Sequence, residues 1–467
     1  MKLSKLKATL FIPFLLPSCS STNGPLLLGV DLSDAVCVFM CNNCTGVSDP
    51  ELKDTSLNTE GIDRSLFQLY KTDVNGVTKR VKCKTKNSDD DSYFKTENFS
   101  TSLINVSDKY FYGDFRQDRY FINKKTGEAL QFVDEYSLPD ESWPNYTSAR
   151  HTFQEDKYGN IYTCAYSIEK KSYEIVKLIE EENKFKCKTL ATLDFDVGRL
   201  YYAVDSEGNV AYSSVQRGKK FNFITADGNL LSSLSLENDE YGRRKAFWTG
   251  YDGNIYSIKE GKVEKIIYNK DTNTVTSEDI VYFSSLNGRN LDPMNFIFLD
   301  GAKKIYYYNI VEKESLELFQ LYGAGITGEK IVLSAEELFP AGELELYSKA
   351  STLGWLETDE NNIYFSNVCV AKEDNENTEI FVVNKLDTNN NMKITRNHYY
   401  VYCNDAIRVL NNGKMVIFYW NADSDLNRPG DHGIYMSVGI FDTNTGVLTP
   451  QDTFVTGNAA RSHIINL

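Results

Sequence analysis

Histidine is scarce in this chain of 467 residues. Only four histidines occur, and none stands in the H-E-x-x-H or H-x-x-E-H spacing that holds zinc in metallohydrolases. The G-x-S-x-G sequence that places a nucleophilic serine on a sharp turn is also missing. The sequence therefore contains no recognisable catalytic motif, and no cofactor is predicted from it.

Basic residues and proline are also in short supply. Lys and Arg total 50 against 65 Asp and Glu, and the net charge of −15 excludes the basic footprint of a nucleic-acid-binding protein. Proline occurs 10 times and tyrosine 30 times, a balance that favours strands over linkers. Because 41% of the residues are hydrophobic, the chain can build a large core, and extended disorder is excluded.

No stretch reaches the ~20 apolar residues that a transmembrane helix needs. The N-terminus instead carries a short apolar segment, Ala8 to Leu16, behind three lysines, which is typical of a secretory signal peptide. This segment ends in Leu16-Pro17-Ser18-Cys19, which resembles the lipobox of bacterial lipoproteins. The resemblance implies that residues 1–18 are removed, that Cys19 carries the lipid, and that residues 19–29 form the lipidated tether.

A turn phrase of the form Asp-x-x-Gly-Asn, sometimes shortened, recurs along the rest of the chain and precedes a short apolar and aromatic strand. Copies begin at Asp156, Asp205, Asp252, Asp300, Asp359 and Asn411. The strands that follow start at 161, 210, 255, 305, 363 and 415, so the repeat is 45 to 58 residues long. The phrase predicts a β-hairpin in which Asp caps the turn and Gly takes the left-handed conformation.

A second hairpin follows the first, for example over 120–132, 221–231 and 439–448. Four-stranded units repeated every ~50 residues are typical of a β-propeller. The predicted fold class is therefore all-β, a single β-propeller domain of seven or eight four-stranded blades over 30–467. Eight blades result if the N-terminal third supplies two, and seven if N- and C-terminal strands share one. The polar segments 42–60 and 85–98 are predicted to be loops.

Two propeller families resemble these repeats. The phrase Asp-x-x-Gly-Asn-Ile-Tyr resembles the NHL-type repeat, and the hairpins at 123–127 and 442–446 resemble the pyrroloquinoline-quinone-type repeat. Each resemblance covers about ten residues per repeat, and both imply the propeller architecture. Neither implies one activity, because propellers host many functions.

Nine cysteines are present, and eight remain after Cys19. An even number in an exported chain suggests disulfides, and the candidate pairs are Cys164 with Cys187 and Cys369 with Cys403. The other four have three possible pairings among themselves; they are Cys37, Cys41, Cys44 and Cys83. Buried free thiols are the alternative interpretation.

One loop resembles the start of a calcium-binding loop. Asp423, Asp425 and Asn427 place oxygen ligands at its positions 1, 3 and 5. The Gly at position 6 and the Glu at position 12 that complete an EF-hand are missing. A polar loop between strands is therefore favoured, and calcium is the one candidate metal.

These observations lead to a hypothesis about function. We expect a lipid-anchored β-propeller of the bacterial cell envelope that binds or scaffolds a protein or small ligand at an outer-membrane periplasmic or surface face. One acidic propeller face would favour cationic partners or divalent ions. The protein is expected to be a monomer that binds the membrane through its lipid and does not bind nucleic acid. The alternative is an exported propeller enzyme of hydrolase, lactonase or lyase type, assisted by calcium.

Overall fold

The protein is described from a computed structural model. The structure describes residues 26–41, 67–86, 88–96, 103–115, 118–138, 153–193, 200–214, 221–232, 246–259, 262–282, 296–298, 305–313, 316–325, 328–334, 337, 347–359, 361–371, 379–387, 393–399, 408–410, 413–419, 434–456 and 465–467. Cys19, Cys403, Asp423, Asp425 and Asn427 lie outside these ranges, as does the predicted signal peptide. Apart from Glu337, which has a helical conformation, every regular element within the ranges is a β-strand, so the all-β prediction is confirmed. The same residues include no helix that is long and apolar enough to cross a bilayer.

The N-terminal residues form two sheets. The first contains β1 (Leu27–Val30), β5 (Lys82–Thr85) and β6 (Ser88–Tyr93). The second contains β2 (Ala35–Cys41), β3 (Phe67–Asp73), β4 (Thr78–Arg80), β7 (Lys95–Thr96) and the C-terminal β37 (Ile465–Asn466), which pairs with β2. The prediction of a loop over 85–98 is wrong, because β6 pairs with β5 and β7 pairs with β3 despite their polar sequences.

Two meanders follow and share an edge. One contains β8 (Ile104–Asn105), β9 (Tyr110–Phe115), β10 (Asp118–Asn123) and β11 (Ala129–Phe132). The other contains β13 (Phe153–Glu155), β14 (Ile161–Ser167), β15 (Ser172–Glu181) and β16 (Lys184–Thr192), with β12 (Tyr136–Ser137) added beside β14. A short parallel pairing of β11 with β16 joins them. Phe185 packs at this junction against Phe121, with the ring centroids 4.4 Å apart, so the two meanders bury one aromatic core.

Five further sheets each contain four consecutive antiparallel strands. The first two are β17 (Leu200–Val204), β18 (Val210–Ser214), β19 (Asn222–Ile224) and β20 (Leu230–Ser232), then β21 (Ala246–Thr249), β22 (Ile255–Lys259), β23 (Lys262–Asn269) and β24 (Thr274–Tyr282). The third is β25 (Phe296–Phe298), β26 (Ile305–Lys313), β27 (Leu316–Gly325) and β28 (Gly328–Leu333). The last two are β29 (Tyr347–Thr358), β30 (Asn362–Ala371), β31 (Glu379–Asp387) and β32 (Lys393–Tyr399), then β33 (Arg408–Leu410), β34 (Lys414–Tyr419), β35 (Ile434–Asp442) and β36 (Val447–Thr456). These sheets agree with the predicted pairs of hairpins.

The core lies between consecutive sheets. Tyr162 of β14 belongs to the same apolar cluster as Tyr202 of β17, and Trp248 of β21 clusters with Tyr307 of β26. Strand β14 contributes Ile161 and Ala165 to one apolar cluster and Tyr162 to another, so it is covered by neighbours on both faces. The tyrosines that follow the turn phrase are among the largest fully buried side chains; they are Tyr162, Tyr256, Tyr306 and Tyr364.

Candidate functional site

One carboxylate holds the turn between β13 and β14. Asp156 Oδ1 accepts the backbone N–H groups of Tyr158 at 2.9 Å and Asn160 at 3.0 Å. Its Oδ2 accepts the Asn160 Nδ2 at 2.7 Å and the Tyr162 hydroxyl at 2.9 Å. Gly159 has φ 79°, in the left-handed region that side chains disfavour. The predicted turn, with Asp as the cap and Gly left-handed, is therefore confirmed.

The arrangement recurs in the later sheets. Between β17 and β18, Asp205 accepts the backbone N–H and the Nδ2 of Asn209, both at 2.8 Å. Between β29 and β30, Asp359 accepts the Asn362 Nδ2 at 2.9 Å and the Tyr364 hydroxyl at 2.7 Å. The pairing of Asp with Asn is common to these turns. The tyrosine is present in the Asp359 turn, whereas Ala211 takes its place in the Asp205 turn.

The turn between β21 and β22 reaches the same contacts from a shifted position. Gly250 stands where Asp156 stands in its own turn, and its carbonyl accepts the Gly253 N–H at 2.8 Å. The carboxylate comes two residues later, at Asp252, and accepts the Asn254 Nδ2 at 2.6 Å and the Tyr256 hydroxyl at 2.7 Å. The hydrogen-bond set is therefore kept although the acceptor moves along the turn.

Two tyrosines of these turns are held neutral by their surroundings. Burial, with the hydrogen bond to Asp156, raises the pKa of Tyr162, and burial with Asp359 does the same for Tyr364. Burial also acts to raise the pKa of Asp359, but hydrogen bonds from Asn362 and Tyr364 outweigh it and hold that pKa below its ordinary value. The Asp359–Tyr364 pair thus combines an ionised acceptor with a neutral donor, which suits a rigid turn.

Successive turns are hydrogen-bonded to one another. The Lys157 N–H donates to the Ser206 carbonyl at 3.1 Å, and the Ser206 N–H donates to the Gly253 carbonyl at 2.7 Å. Residues 156–160, 205–209 and 250–254 therefore form one continuous surface, which we call the turn face. A Cβ on Gly208 would lie 2.5 Å from the Tyr162 Oη, so glycine is required there by proximity as well as by its φ of 87°.

A glutamine joins the first strands of neighbouring sheets beneath the turn face. The Gln154 Nε2 donates to the Tyr202 carbonyl at 3.0 Å, and its Oε1 accepts the Val204 N–H at 2.7 Å. The Thr249 hydroxyl then donates to the Val204 carbonyl at 2.5 Å. The side chains of Gln154 and Thr249 thus bond backbone groups of β17 that have no described partner strand on that side. These bonds hold β13, β17 and β21 side by side.

The turn face exposes two tyrosines among charged groups. Tyr158 is 64% exposed, and its hydroxyl donates to the Glu207 Oε2 at 3.0 Å. Glu207 also forms an ion pair with Lys157. Tyr251 is 53% exposed, and its hydroxyl donates to the Thr358 carbonyl at 3.3 Å. Flat aromatic side chains beside carboxylates can contact a partner through both apolar area and hydrogen bonds.

The cysteines of the first predicted disulfide are not neighbours. Cys164 on β14 is opposite Ile175, and Cys187 on β16 is opposite Leu178, with the whole of β15 between them. Strands lie ~4.8 Å apart, so thiols two strands apart and displaced along them are beyond disulfide reach. Neither forms a disulfide, and the prediction that they face each other on adjacent strands is wrong. Burial raises the pKa of the Cys164 thiol to about 12, which makes it unreactive.

The other predicted site residues are placed only in part. Cys369 lies on β30 opposite Ile380, while its proposed partner Cys403 is outside the described ranges. The candidate calcium loop at Asp423, Asp425 and Asn427 is also outside them. Among the side chains that the structure describes, no three His, Cys, Asp or Glu residues are grouped closely enough to hold a metal ion.

The sequence reasoning missed a buried carboxylate on β15. Glu174 on β15 is fully buried, and its Oε2 accepts the hydroxyls of Tyr136 at 2.7 Å and Thr189 at 2.6 Å. Its Oε1 accepts the Lys170 Nζ at 2.9 Å and the Thr192 hydroxyl at 3.1 Å. Burial acts to raise the pKa of Glu174, but these four donors outweigh it and lower that pKa. An acidic residue between apolar neighbours in a strand was the available signal.

Comparisons with known proteins give distant similarities. No protein-family profile and no curated protein matches the chain. It is similar to a solved protein from Lactobacillus plantarum with 12% identity and a TM-score of 0.33, over 92% of this chain and 99% of that one. It is also similar to the calcium-binding protein regucalcin from Agrobacterium tumefaciens (10% identity, TM-score 0.25, 62% and 84% covered) and a hypothetical selenium-binding protein from Sulfolobus tokodaii (12%, 0.32, 77% and 90%). Similarities of this size assign no function.

Proposed function

We propose that this chain is a lipid-anchored β-propeller of the bacterial envelope that binds or scaffolds a protein or small ligand. The observation that carries the architecture is the pairing of β37 with β2, in which Ile465 is opposite Val38 and Asn466 opposite Cys37. The Leu467 N–H also donates to the Val36 carbonyl at 3.0 Å. A C-terminal strand that completes an N-terminal sheet is how a ring of blades closes.

Eight blades are the count that we propose. The β37-β2-β3-β4 sheet is the first, the two joined meanders are the second and third, and the five later four-stranded sheets complete the ring. The terminal strands then share one blade, as in the seven-blade alternative, while the N-terminal third still supplies a second blade. Deletion of residues 465–467 tests this closure. We expect the deletion to lower the melting temperature and to expose both β2 and β33, which contact β37, to protease. If the blades do not form a closed ring, the deletion should remove β37 without affecting β33.

The proposed binding surface is the turn face. Its backbone is fixed by hydrogen bonds from turn to turn, and it exposes Tyr158, Tyr251 and Glu207. A rigid surface with exposed tyrosines lowers the entropy cost of binding. The net charge of −15 favours a cationic protein segment or small ligand over an acidic one. We expect the mature protein to be monomeric and held to the membrane through Cys19.

Site-specific crosslinking tests the binding role. A photoreactive residue placed at 158 or 251 in the intact lipoprotein is expected to capture a discrete partner in cells, and the same residue at Leu230, which is also exposed, serves as the control. Equal capture from all three positions would argue against a dedicated turn-face surface. A separate Cys19→Ala variant tests the anchor, because it should lose metabolic palmitate labelling and leave the membrane fraction.

A metal titration distinguishes the enzyme alternative from the binding role. If calcium raises the melting temperature of the mature chain and EDTA reverses the rise, the chain binds calcium, and a calcium-assisted propeller enzyme becomes the better hypothesis. We expect no such shift. The variant Asp423→Asn with Asp425→Asn supplies the control, since it should abolish any calcium effect that arises from the loop at 423–427.

A further inference from the structure

Strand β1 carries leucines on its outward side. The side chain of Leu27 is buried, which identifies the inward side of the strand, and its N–H donates to the Tyr120 hydroxyl at 3.4 Å. Leu26 and Leu28 flank it and are 37% and 47% exposed. Because successive side chains of a strand point to opposite faces, Leu26 lies on the side opposite the buried Leu27. A β-bulge between Leu27 and Gly29 sets Leu28 and Gly29 together against Lys84, so Leu28 also lies on the outward side. The side chains on a sheet face that meets only water are usually polar, so the exposure of Leu26 and Leu28 requires an explanation.

Lysines of β5 lie on the same side of the sheet. The pairing of β1 with β5 sets Leu27 opposite Thr85, both of which are buried. The lysines that alternate with Thr85 and Cys83 are exposed; they are Lys82, Lys84 and Lys86. The Lys86 N–H donates to the Leu26 carbonyl at 2.9 Å, so the lysine strand and the leucine strand are in direct contact. We call Leu26, Leu28 and these three lysines the β1–β5 face.

The surrounding charge is mixed. Strand β6, which pairs with β5, contains Asp89 to Asp91, so the lysines do not form an isolated basic patch. The leucines should therefore supply most of any attraction to an apolar environment, and the lysines should add contacts to anionic groups. This combination of apolar and basic side chains is typical of surfaces that lie at the boundary between lipid headgroups and acyl chains.

The position of this face in the chain points to its occupant. Strand β1 begins at Leu27, inside the segment 19–29 predicted to be the tether, so the tether is shorter than predicted. Seven residue steps separate Cys19 from Leu26, and they span at most ~24 Å when fully extended. A lipid on Cys19 would therefore keep the face within that distance of the membrane. A short tether also raises the effective concentration of the β1–β5 face at the membrane. A weak intrinsic affinity for lipid is then enough to keep this face bound.

We propose that the β1–β5 face rests on the membrane surface, with Leu26 and Leu28 entering the headgroup region and the lysines contacting lipid phosphates. This inference rests on the proposed anchoring at Cys19. Its consequence is a protein held against the bilayer in one orientation. A free tether would instead allow it to rotate.

Lipid quenching of tryptophan fluorescence tests the inference. The full mature lipoprotein with Leu28→Trp is reconstituted into vesicles with brominated acyl chains, which quench tryptophans at the membrane. The control is Ile331→Trp, because Ile331 is exposed on β28 of a different sheet. After subtraction of the wild-type signal, we expect at least a twofold loss of fluorescence at position 28 and none at position 331. Equal quenching at both positions would overturn the proposal.

Vesicle flotation separates the two claims in the same samples. If the protein does not float with the vesicles, the anchor at Cys19 is wrong and the inference falls with it. If the Leu28→Trp variant floats but its added fluorescence is not quenched, only the surface inference is wrong. A crosslinked dimer without quenching would assign the face to a second copy of the chain and also overturn the proposal.

A charge-reversal pair tests the lysines. In the Leu28→Trp background, Lys82→Glu, Lys84→Glu and Lys86→Glu together should reduce the quenching by anionic vesicles severalfold. The matched control reverses three exposed lysines with the same spacing on β16; they are Lys184, Lys186 and Lys188. This control should leave the quenching unchanged, and an equal loss in both variants would contradict a role for the β1–β5 face. Circular dichroism of each variant verifies that it is folded.

Discussion

Two turns of the same design differ in how their carboxylate is held. At Asp205 the acceptor is bound by Asn209 without a tyrosine hydroxyl, and burial, only partly offset by these hydrogen bonds, raises its pKa. At Asp359 burial acts in the same direction, but Asn362 and Tyr364 donate to the carboxylate and its pKa is lowered. Ionisation at neutral pH therefore costs the folded state free energy at Asp205 and stabilises it at Asp359. The Asp–Asn pair is enough to form the turn, and the added tyrosine hydroxyl helps to make the charge favourable at the less buried Asp359.

The largest expected effect is the loss of the carboxylate in the turn that has a tyrosine. Asp359→Ala leaves the buried Tyr364 hydroxyl and the Asn362 amide without their acceptor. We expect the free energy of unfolding to fall by about 3 kcal/mol, as measured by denaturant titration. Asp205→Ala should cost less, about 2 kcal/mol, because no tyrosine loses its acceptor there.

The control for both substitutions is Asp227→Ala. Asp227 lies in the turn between β19 and β20 and is exposed, and the acceptor of that turn is Thr225. Its substitution should change the free energy of unfolding by less than about 0.5 kcal/mol. If Asp205→Ala proves as costly as Asp359→Ala, the comparison between the two turns is wrong.

The next prediction compares two glycines that share a backbone conformation but differ in how closely other atoms pack against them. Gly208 and Gly228 have φ of 87° and 89°, but a Cβ on Gly208 would meet the Tyr162 Oη at 2.5 Å, whereas a Cβ on Gly228 would have no neighbour within 4 Å. We expect Gly228→Ala to cost about 1 kcal/mol and Gly208→Ala at least about 2 kcal/mol in denaturant titrations. Equal costs would show that packing between the turns contributes little.

A smaller effect is expected from the tyrosine hydroxyl. Tyr364→Phe removes a donor that helps to hold the pKa of Asp359 below its ordinary value of 3.8. This contribution to stability is present above pH 3.8 and is lost as the pH falls through the lowered pKa. We expect a loss of about 1 kcal/mol at pH 7, measured by denaturant titration, that shrinks below pH 3.8.

Tyr268→Phe provides the matched control for this pH dependence. The Tyr268 hydroxyl donates to the neutral Asn273 Oδ1 at 2.9 Å, so its removal should have an effect that does not vary over the same pH range. A pH-independent loss in Tyr364→Phe as well would mean that the tyrosine does not tune the carboxylate.

The smallest effect concerns the exposed ion pair between the first two turns. Lys157 and Glu207 are both on the surface, where water and salt weaken their attraction. We expect Lys157→Ala to leave the denaturation midpoint unchanged, because backbone hydrogen bonds from Lys157 to Ser206 and from Ser206 to Gly253 already join the turns. A clear loss of stability would show that the Lys157–Glu207 ion pair, and not the backbone hydrogen bonds, holds the turns together.

Features that depend on a few adjacent residues could be predicted from the sequence. The Asp cap at Asp156, the left-handed glycine at Gly159 and the two hairpins of each later sheet follow from turn chemistry and from alternation along the strands. The polar run at Asp89 to Asp91 misled the same reasoning, because its strand forms by pairing with β5, the strand directly before it, although its own composition disfavours strands.

Contacts between distant residues needed the folded structure. The interposition of β15 between Cys164 and Cys187 depends on strand register, and the four donors around Glu174 come from four separate positions in the chain. Turn chemistry and strand periodicity are local, so the all-β class and the repeat could be read from the residues alone. The pairings of β37 with β2 and of β11 with β16 depend on which edges meet when the sheets pack, and no local pattern specifies this.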